Sequence, residues 1–310
     1  MCFTKTCVLK ENQNMAIING DNNANTLTGT NSADAIKGLG GDDTIYGLGG
    51  NDSLDGNDGN DRIYGGDGAD IVRAGNGNDY IDLGRAQLIT GNEYNLVDAG
   101  DGDDTVIGGQ DTDRIYLYSG ADSANGGDGR DYIFGGIGND TIRGGGGNDD
   151  LYGEEGNDTL YGDNGDDLLI GGLNSDSVYG GAGYDLIRAA SKITYSDFSY
   201  ESRNTVDNLW GGTEGDTFSF GYRVTYNGVL RTIQDYQGGG NADYAIIRDF
   251  QGGYGYDRIQ LAGSPSEYSL DRMTLNGVEG TGIRFGTDLV ALVKDKFDLS
   301  LTNSNQFIYF

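Results

Sequence analysis

The sequence predicts an all-β fold: a solenoid of flattened coils, two short strands per coil, closed by a β-rich C-terminal region. Three observations predict it. Glycine supplies 57 of the 310 residues. Aspartates recur every nine residues in two unbroken phases. An apolar residue follows each of them two positions later, with one small exception. Glycine excess and a net charge of -29 would by themselves describe a disordered chain, so the phasing decides.

The first phase runs Asp34, Asp43, Asp52, Asp61, Asp70, Asp79. The second runs Asp104, Asp113, Asp122, Asp131, Asp140, Asp149, Asp158, Asp167, Asp176, Asp185. The apolar positions are Ile36, Ile45, Leu54, Ile63, Val72 and Ile81, then Val106, Ile115, Ala124, Ile133, Ile142, Leu151, Leu160, Leu169, Val178 and Ile187. Glycines fill the slots before the Asp, as in Gly126 to Asp131 (GGDGRD) and Gly135 to Asp140 (GGIGND). Glycine takes positive φ without a Cβ penalty, so this part of the repeat is a turn. The three residues centred on the apolar position suit a short strand, one side chain in and two out. One nonapeptide makes a turn and a strand, and two make a coil. The second phase holds ten repeats, five coils, or roughly 24 Å at about 4.8 Å per layer.

The pattern GGxGxDxUx resembles the RTX (repeats-in-toxin, hemolysin-type) family over residues 20–188, with scattered matches afterwards at Gly211 to Asp216 (GGTEGD) and Gly252 to Asp257 (GGYGYD). The resemblance implies a right-handed parallel β-roll stapled by calcium, with a β-rich C-terminal cap. It also implies secretion through a one-step (type I) channel, directed by an uncleaved C-terminal signal.

The residues support calcium on their own terms. A coil is eighteen residues, so Asp34 and Asp52, or Asp131 and Asp149, lie on one edge a layer apart. Carboxylates stacked at about 4.8 Å repel unless a cation lies between them. Ca²⁺ accepts 6–8 oxygens in a flexible shell, which two Asp side chains and glycine carbonyls can supply; Mg²⁺ demands a stricter octahedron. All sixteen aspartates are therefore candidate metal ligands. Pairs eighteen apart give about a dozen ions. The turn before Asp122 (Leu117 to Asp122, LYSGAD) departs from the pattern, and its site is expected to be weakest or lost. In Gly171 to Asp176 (GGLNSD), Asn174 replaces a glycine but tolerates left-handed geometry.

The segments follow. Residues 1–15 read as an unstructured leader, and Met15–Gly20 already resembles the start of the roll, which leaves Met1 or Met15 as the start. Residues 16–82 are the first roll block, 83–98 an interruption, 99–188 the second block and 189–206 a second interruption. Residues 207–310 combine degenerate repeats, a β-rich cap and the C-terminal secretion signal. Residues 16–188 carry 33 acids and 8 bases; residues 189–310 carry 15 and 10. The acids outside the phase, such as Glu154 and Glu155, read as solvated surface. Three residues past alternate aspartates come Tyr116, Phe134, Tyr152 and Ile170, an expected exposed apolar column on one sheet.

Several functions fall away. With no His there is no His-dependent nucleophilic triad and no His-ligated zinc. The acidic charge repels nucleic acid. No apolar run reaches the length of a transmembrane helix, and the N-terminus lacks the pattern of a cleavable signal peptide. No metalloprotease helix motif or Gly-x-Ser-x-Gly elbow occurs. The leading reading is a non-enzymatic, secreted calcium-binding structural protein at the cell surface or in an extracellular layer or fibril, associating with itself or with a cell-surface polysaccharide or protein. An adhesin or polysaccharide-binding module is the alternative, and a carboxylate-based glycan-processing enzyme stands third.

Overall fold

The computed structural model describes residues 6–8, 15–84, 94–188, 206–213, 215–220, 222–226, 229–233, 244–250, 257–261, 264–285, 288–296, 298–304 and 306–309. The fold is all-β, as the phasing predicts, and among the described residues the one helical element is a short 3-10 turn, Pro265–Glu267. The chain divides into two compact units, Met1–Leu151 and Tyr152–Phe310.

In the first unit, strands alternate strictly between two parallel sheets. One sheet holds Thr26–Thr28, Thr44–Gly49, Arg62–Asp67, Tyr80–Asp82, Thr105–Gly109, Ser123–Asp128 and Thr141–Gly146. The other holds Ile17–Asn19, Ala35–Gly40, Ser53–Asp58, Ile71–Asn76, Asn95–Asp101, Asp113–Ser119 and Tyr132–Ile137. Thr44 faces Arg62 and Ala35 faces Ser53, eighteen residues on in each case, so a coil is two nonapeptides. Every apolar slot of the phase points inward. Ile36, Ile45, Leu54, Ile63, Val72, Ile81, Ile115, Ile133 and Ile142 are fully buried, and Ala124, the small one, is 3% exposed. That single-file aliphatic stack is the core.

Three departures from the sequence reading concern the first unit. The segment expected to be an unstructured leader contains a strand, Thr6–Val8, which pairs in parallel with Thr26–Thr28. An open sheet edge offers a row of unpaired backbone groups, and this strand covers it. The repeat strands run to six residues rather than three, because pairing with the next coil continues through the first half of the glycine turn: Leu39 pairs with Asn57 and Gly40 with Asp58, and Ala35–Gly40 alternates in and out along its length. The coil also resumes at Asn95, earlier than residue 99, and Leu83 is buried with it. Thr105 pairs with Tyr80, so the break in phase is one insertion accommodated between adjacent coils.

The glycines of the turn serve two purposes. At the second and fourth positions of GGxGxD the backbone has positive φ, for example Gly136 (φ 102) and Gly138 (φ 147). Asn174, at a fourth position, also has positive φ (81), as its tolerance of left-handed geometry predicts. At the first position the constraint is space: a β-carbon on Gly126 would collide with the Asp131 carboxylate and the Gly144 carbonyl oxygen.

The second unit, taken by itself, is also wound from strands that alternate between two sheets. One sheet carries Thr159–Asn164, Ser177–Ala182, Val206–Thr213 and Tyr244–Ile247 in parallel, then ends in an antiparallel meander of Asp288–Lys294, Val278–Phe285 and Tyr268–Leu275. The other carries Leu168–Leu173, Leu186–Arg188, Thr217–Phe220, Arg258–Leu261 and, from the C-terminal tail, Phe307–Tyr309, all parallel. A separate hairpin joins Tyr222–Tyr226 to Val229–Ile233. The meander closes over Ile246, Leu289 and Leu292, a cap of the kind a solenoid end requires. Most of the second interruption, residues 189–205, lies outside the described residues.

The column expected to be exposed is half-buried at Tyr116 and Phe134, whose rings stack at 4.9 Å, and Ile170 is 8% exposed. Rings one coil apart cover each other's faces, which sequence spacing alone does not show. No helix of the described residues is long and apolar enough to cross a membrane.

Candidate metal centre

Each turn ends on its aspartate just as the chain enters a strand, and the burial rhythm of that strand continues back through it. The Asp side chain therefore points inward. All sixteen candidate aspartates are at most 3% exposed. Such burial of a carboxylate is rare unless it is paired.

Two ladders result in the first unit, one along each edge. Along one edge the N–H of Asp34 donates to Asp52 Oδ1 at 2.8 Å, Asp52 to Asp70 at 2.9 Å, Asp113 to Asp131 at 2.8 Å and Asp131 to Asp149 at 2.8 Å. Along the other, Asp43 donates to Asp61, Asp61 to Asp79, Asp79 to Asp104, Asp104 to Asp122 and Asp122 to Asp140, all between 2.7 and 2.9 Å. In the second unit Asp158 donates to Asp176 and Asp167 to Asp185, both at 3.0 Å. Oδ1 is thus satisfied by the backbone of the neighbouring coil.

Oδ2 is not. In Asp43, Asp52, Asp61, Asp70, Asp79, Asp104, Asp113, Asp122, Asp131, Asp176 and Asp185 it is buried without a hydrogen-bond partner. In Asp43, Asp52, Asp61, Asp70, Asp113, Asp131 and Asp185 it is aimed at the first glycine of its own turn, where a carbonyl oxygen of the next coil also converges, as at Gly38 with Asp43 and Gly56, and at Gly180 with Asp185 and Gly211; at Asp79, Asp104 and Asp122 that first position is Ala74, Ala99 and Leu117. Two acceptors crowd one point with no donor between them. Burial, reinforced by like charges, pushes these carboxyls up: Asp43 and Asp70 to about 6, Asp79, Asp104, Asp113, Asp122 and Asp185 to about 7, and Asp52 and Asp131 to about 8. Asp61 is raised by burial, and Asp176 by burial and by the facing Asp207.

What such a place lacks is positive charge, from a proton or a cation. The donor set is carboxylate and peptide oxygen alone, which suits a hard cation such as Ca²⁺ and not zinc. Among the described residues no three His, Cys, Asp or Glu side chains converge, so an ion here would take most of its oxygens from glycine carbonyls. The residues fit calcium.

Two turns deviate. Asp34 differs from the rest because Thr30 donates both its N–H (2.6 Å) and Oγ1 (3.0 Å) to Asp34 Oδ2. Asp122 takes its ladder place despite the departed turn, and Leu117 fills the first-glycine position, fully buried.

Sequence reasoning left four ladder members out of the ligand set. Asp207, Asp216 and Asp257 are at most 2% exposed and extend the second unit's ladders: Asp176 donates to Asp207 (2.8 Å), Asp185 to Asp216 (3.0 Å) and Asp216 to Asp257 (3.2 Å). Their separations of 31 and 41 residues hide them from a fixed period. The apolar residue two places on remained as a signal: Leu209, Phe218 and Ile259 are fully buried. Asn95 holds the slot between Asp70 and Asp113.

No curated protein matches this chain. A family model does, the RTX calcium-binding nonapeptide repeat, over residues 19–54, 55–86, 89–124, 116–151, 125–160 and 152–187. More than half of the sequence is matched, by the same segments that wind the two ladders. The chain belongs to the RTX calcium-binding nonapeptide-repeat family, and its repeats form that family's parallel β-roll.

Proposed function

We propose that this chain is a secreted calcium-binding roll with a structural role at the cell surface or in an extracellular layer or fibril, and that it folds when calcium binds after export. The observation that carries the reading is the repeated buried carboxylate whose Oδ2 faces a carbonyl oxygen of the next coil without a donor. The ligands are the phased aspartates from Asp43 to Asp185, joined by Asp207, Asp216 and Asp257, about a dozen ions in all; Asp34, whose Oδ2 Thr30 already satisfies, stands outside this set. Bound calcium supplies the positive charge that lets adjacent carboxylates stack. The turns supply carbonyl oxygens, and the ladder N–H groups hold each Oδ1 so that Oδ2 remains for the ion. In this reading the chain catalyses nothing, and a C-terminal signal in residues 207–310 directs its export.

Acids outnumber bases 33 to 8 in residues 16–188, an imbalance that about a dozen divalent ions nearly cancel. Without them, self-repulsion and the cost of burying charge oppose folding; with them, binding to the folded state alone shifts the equilibrium. The alternative of a polysaccharide-binding module rests on the tyrosines of residues 189–262, whose side chains lie outside the described residues. Of the aromatic residues described in the second unit, Tyr184 is 64% exposed. Tyr161, Tyr179 and Trp210 stack face to face at 4.9 and 4.3 Å, so those faces are spent on one another.

Far-ultraviolet circular dichroism of the full chain in calcium and in excess EGTA tests the reading. The β signal is expected in calcium and a coil-like spectrum in EGTA at neutral pH. Identical β spectra in both would refute calcium-dependent folding.

A further inference from the structure

One rung of the first unit's ladders stands apart from the carboxylate rungs. Asn95 lies between Asp70 and Asp113, 3% exposed. Its Oδ1 accepts the Asp70 N–H at 2.8 Å, as an aspartate would. Its other atom is different: Nδ2 donates to Asp113 Oδ1 at 2.7 Å. Where Asp52 or Asp131 presents a second acceptor to a carbonyl, Asn95 presents a donor to a carboxylate. The group carries no charge and needs no cation. Residues 90–95 read TGNEYN, so the first and fourth positions of the turn are Thr90 and Glu93 rather than glycine, and only Gly91 is kept.

We propose that Asn95 is an ion-free rung: it ties the coils of Asp70 and Asp113 together by hydrogen bonds and lowers the number of calcium ions that this ladder takes. Thr30 acts alike at the start of the roll, where its N–H and hydroxyl satisfy the Asp34 oxygen that would otherwise face an ion. The ladder then has one inter-coil rung, at Asn95, and one turn, at Asp34, whose polar atoms are satisfied whether or not calcium is present, and its ion count falls below its carboxylate count. The inference rests on the calcium reading above.

Native mass spectrometry of the full chain, counting calcium per molecule, tests it with two variants. Asn95→Asp is expected to bind at least one ion more than the wild type, because a carboxylate again faces Asp70 and Asp113. Asn95→Ala is expected to bind the wild-type number while unfolding at lower urea in calcium, because only hydrogen bonds are lost. An unchanged count in Asn95→Asp overturns the inference. So does an ion lost in Asn95→Ala, since Asn95 would then be a ligand itself. Should Asn95→Asp fail to fold, the Ala count decides alone. A wild type that binds no calcium overturns the calcium reading instead, so the two failures are distinct.

Discussion

In excess EGTA the protein is expected to lose stability as pH rises from about 5 to about 9, and in saturating calcium to gain it. The calcium-free sign follows from the buried carboxyls. Their folded-state values stand at about 6 to 8 against an ordinary 3.8, with burial the largest cause at Asp43, Asp70, Asp79, Asp52 and Asp131 alike. Between those limits the folded chain holds more protons than the unfolded one, so raising the pH favours unfolding. The stabilising protons are fully bound below about pH 4 and are lost as pH climbs through 6 to 8. Many sites titrate together, so the dependence is steep. Calcium competes with those protons for the same oxygens, and its affinity grows as they leave, which reverses the slope. Urea midpoints across this range in calcium, and without calcium up to the pH at which the β signal is lost, check the point. Parallel slopes in the two conditions would show that the ladder carboxylates do not exchange protons for calcium.

Gly138→Ala is expected to destabilise the calcium-bound roll by about 3 kcal/mol or more. Two costs combine. Its φ of 147 is one that residues with a Cβ rarely adopt. The added carbon would also overlap the Gly120 carbonyl oxygen of the preceding coil, which is backbone and cannot rotate away. The coils must separate at that point, which disturbs the ladder link from Asp122 to Asp140. Gly277→Ala is the control. It has φ 79 in the hairpin between Tyr268–Leu275 and Val278–Phe285, and nothing lies within 4 Å of the added carbon. Only the backbone term applies there, roughly 1 kcal/mol. Urea denaturation of both variants in calcium separates collision from conformation, and equal losses would rule out coil contact as the cause.

Much of the roll was legible because its physics is periodic. Ile36 through Ile142 had to be core once the nine-residue phase was read, and all are buried. The stacking of the sixteen aspartates along the coil edges was legible for the same reason; their inward placement was not, and it appears only in the burial of the side chains. What escaped had lost the letter and kept the geometry. Asn95 has the shape of an aspartate, and an amide fills the slot by hydrogen bonding alone. Asp207, Asp216 and Asp257 keep their stacking, because a long insertion can leave the coil from one edge and return to it. The glycines concealed a distinction: one letter answers to positive φ at Gly136 and Gly138 and to lack of room at Gly126. The strand at Thr6–Val8 had no repeat to announce it, since its partner, the edge at Thr26–Thr28, is what selects it. Ring stacking at Tyr116 and Phe134 depended on rotamers that spacing does not encode.

A calcium titration followed by sedimentation velocity tests the central claim most directly, that the acidic ladders are an array of calcium sites whose filling folds the chain. The expected result is a frictional ratio that falls cooperatively from that of an expanded chain to that of an ordered roll as about a dozen ions bind. A sedimentation coefficient that stays constant from EGTA to saturating calcium would contradict it.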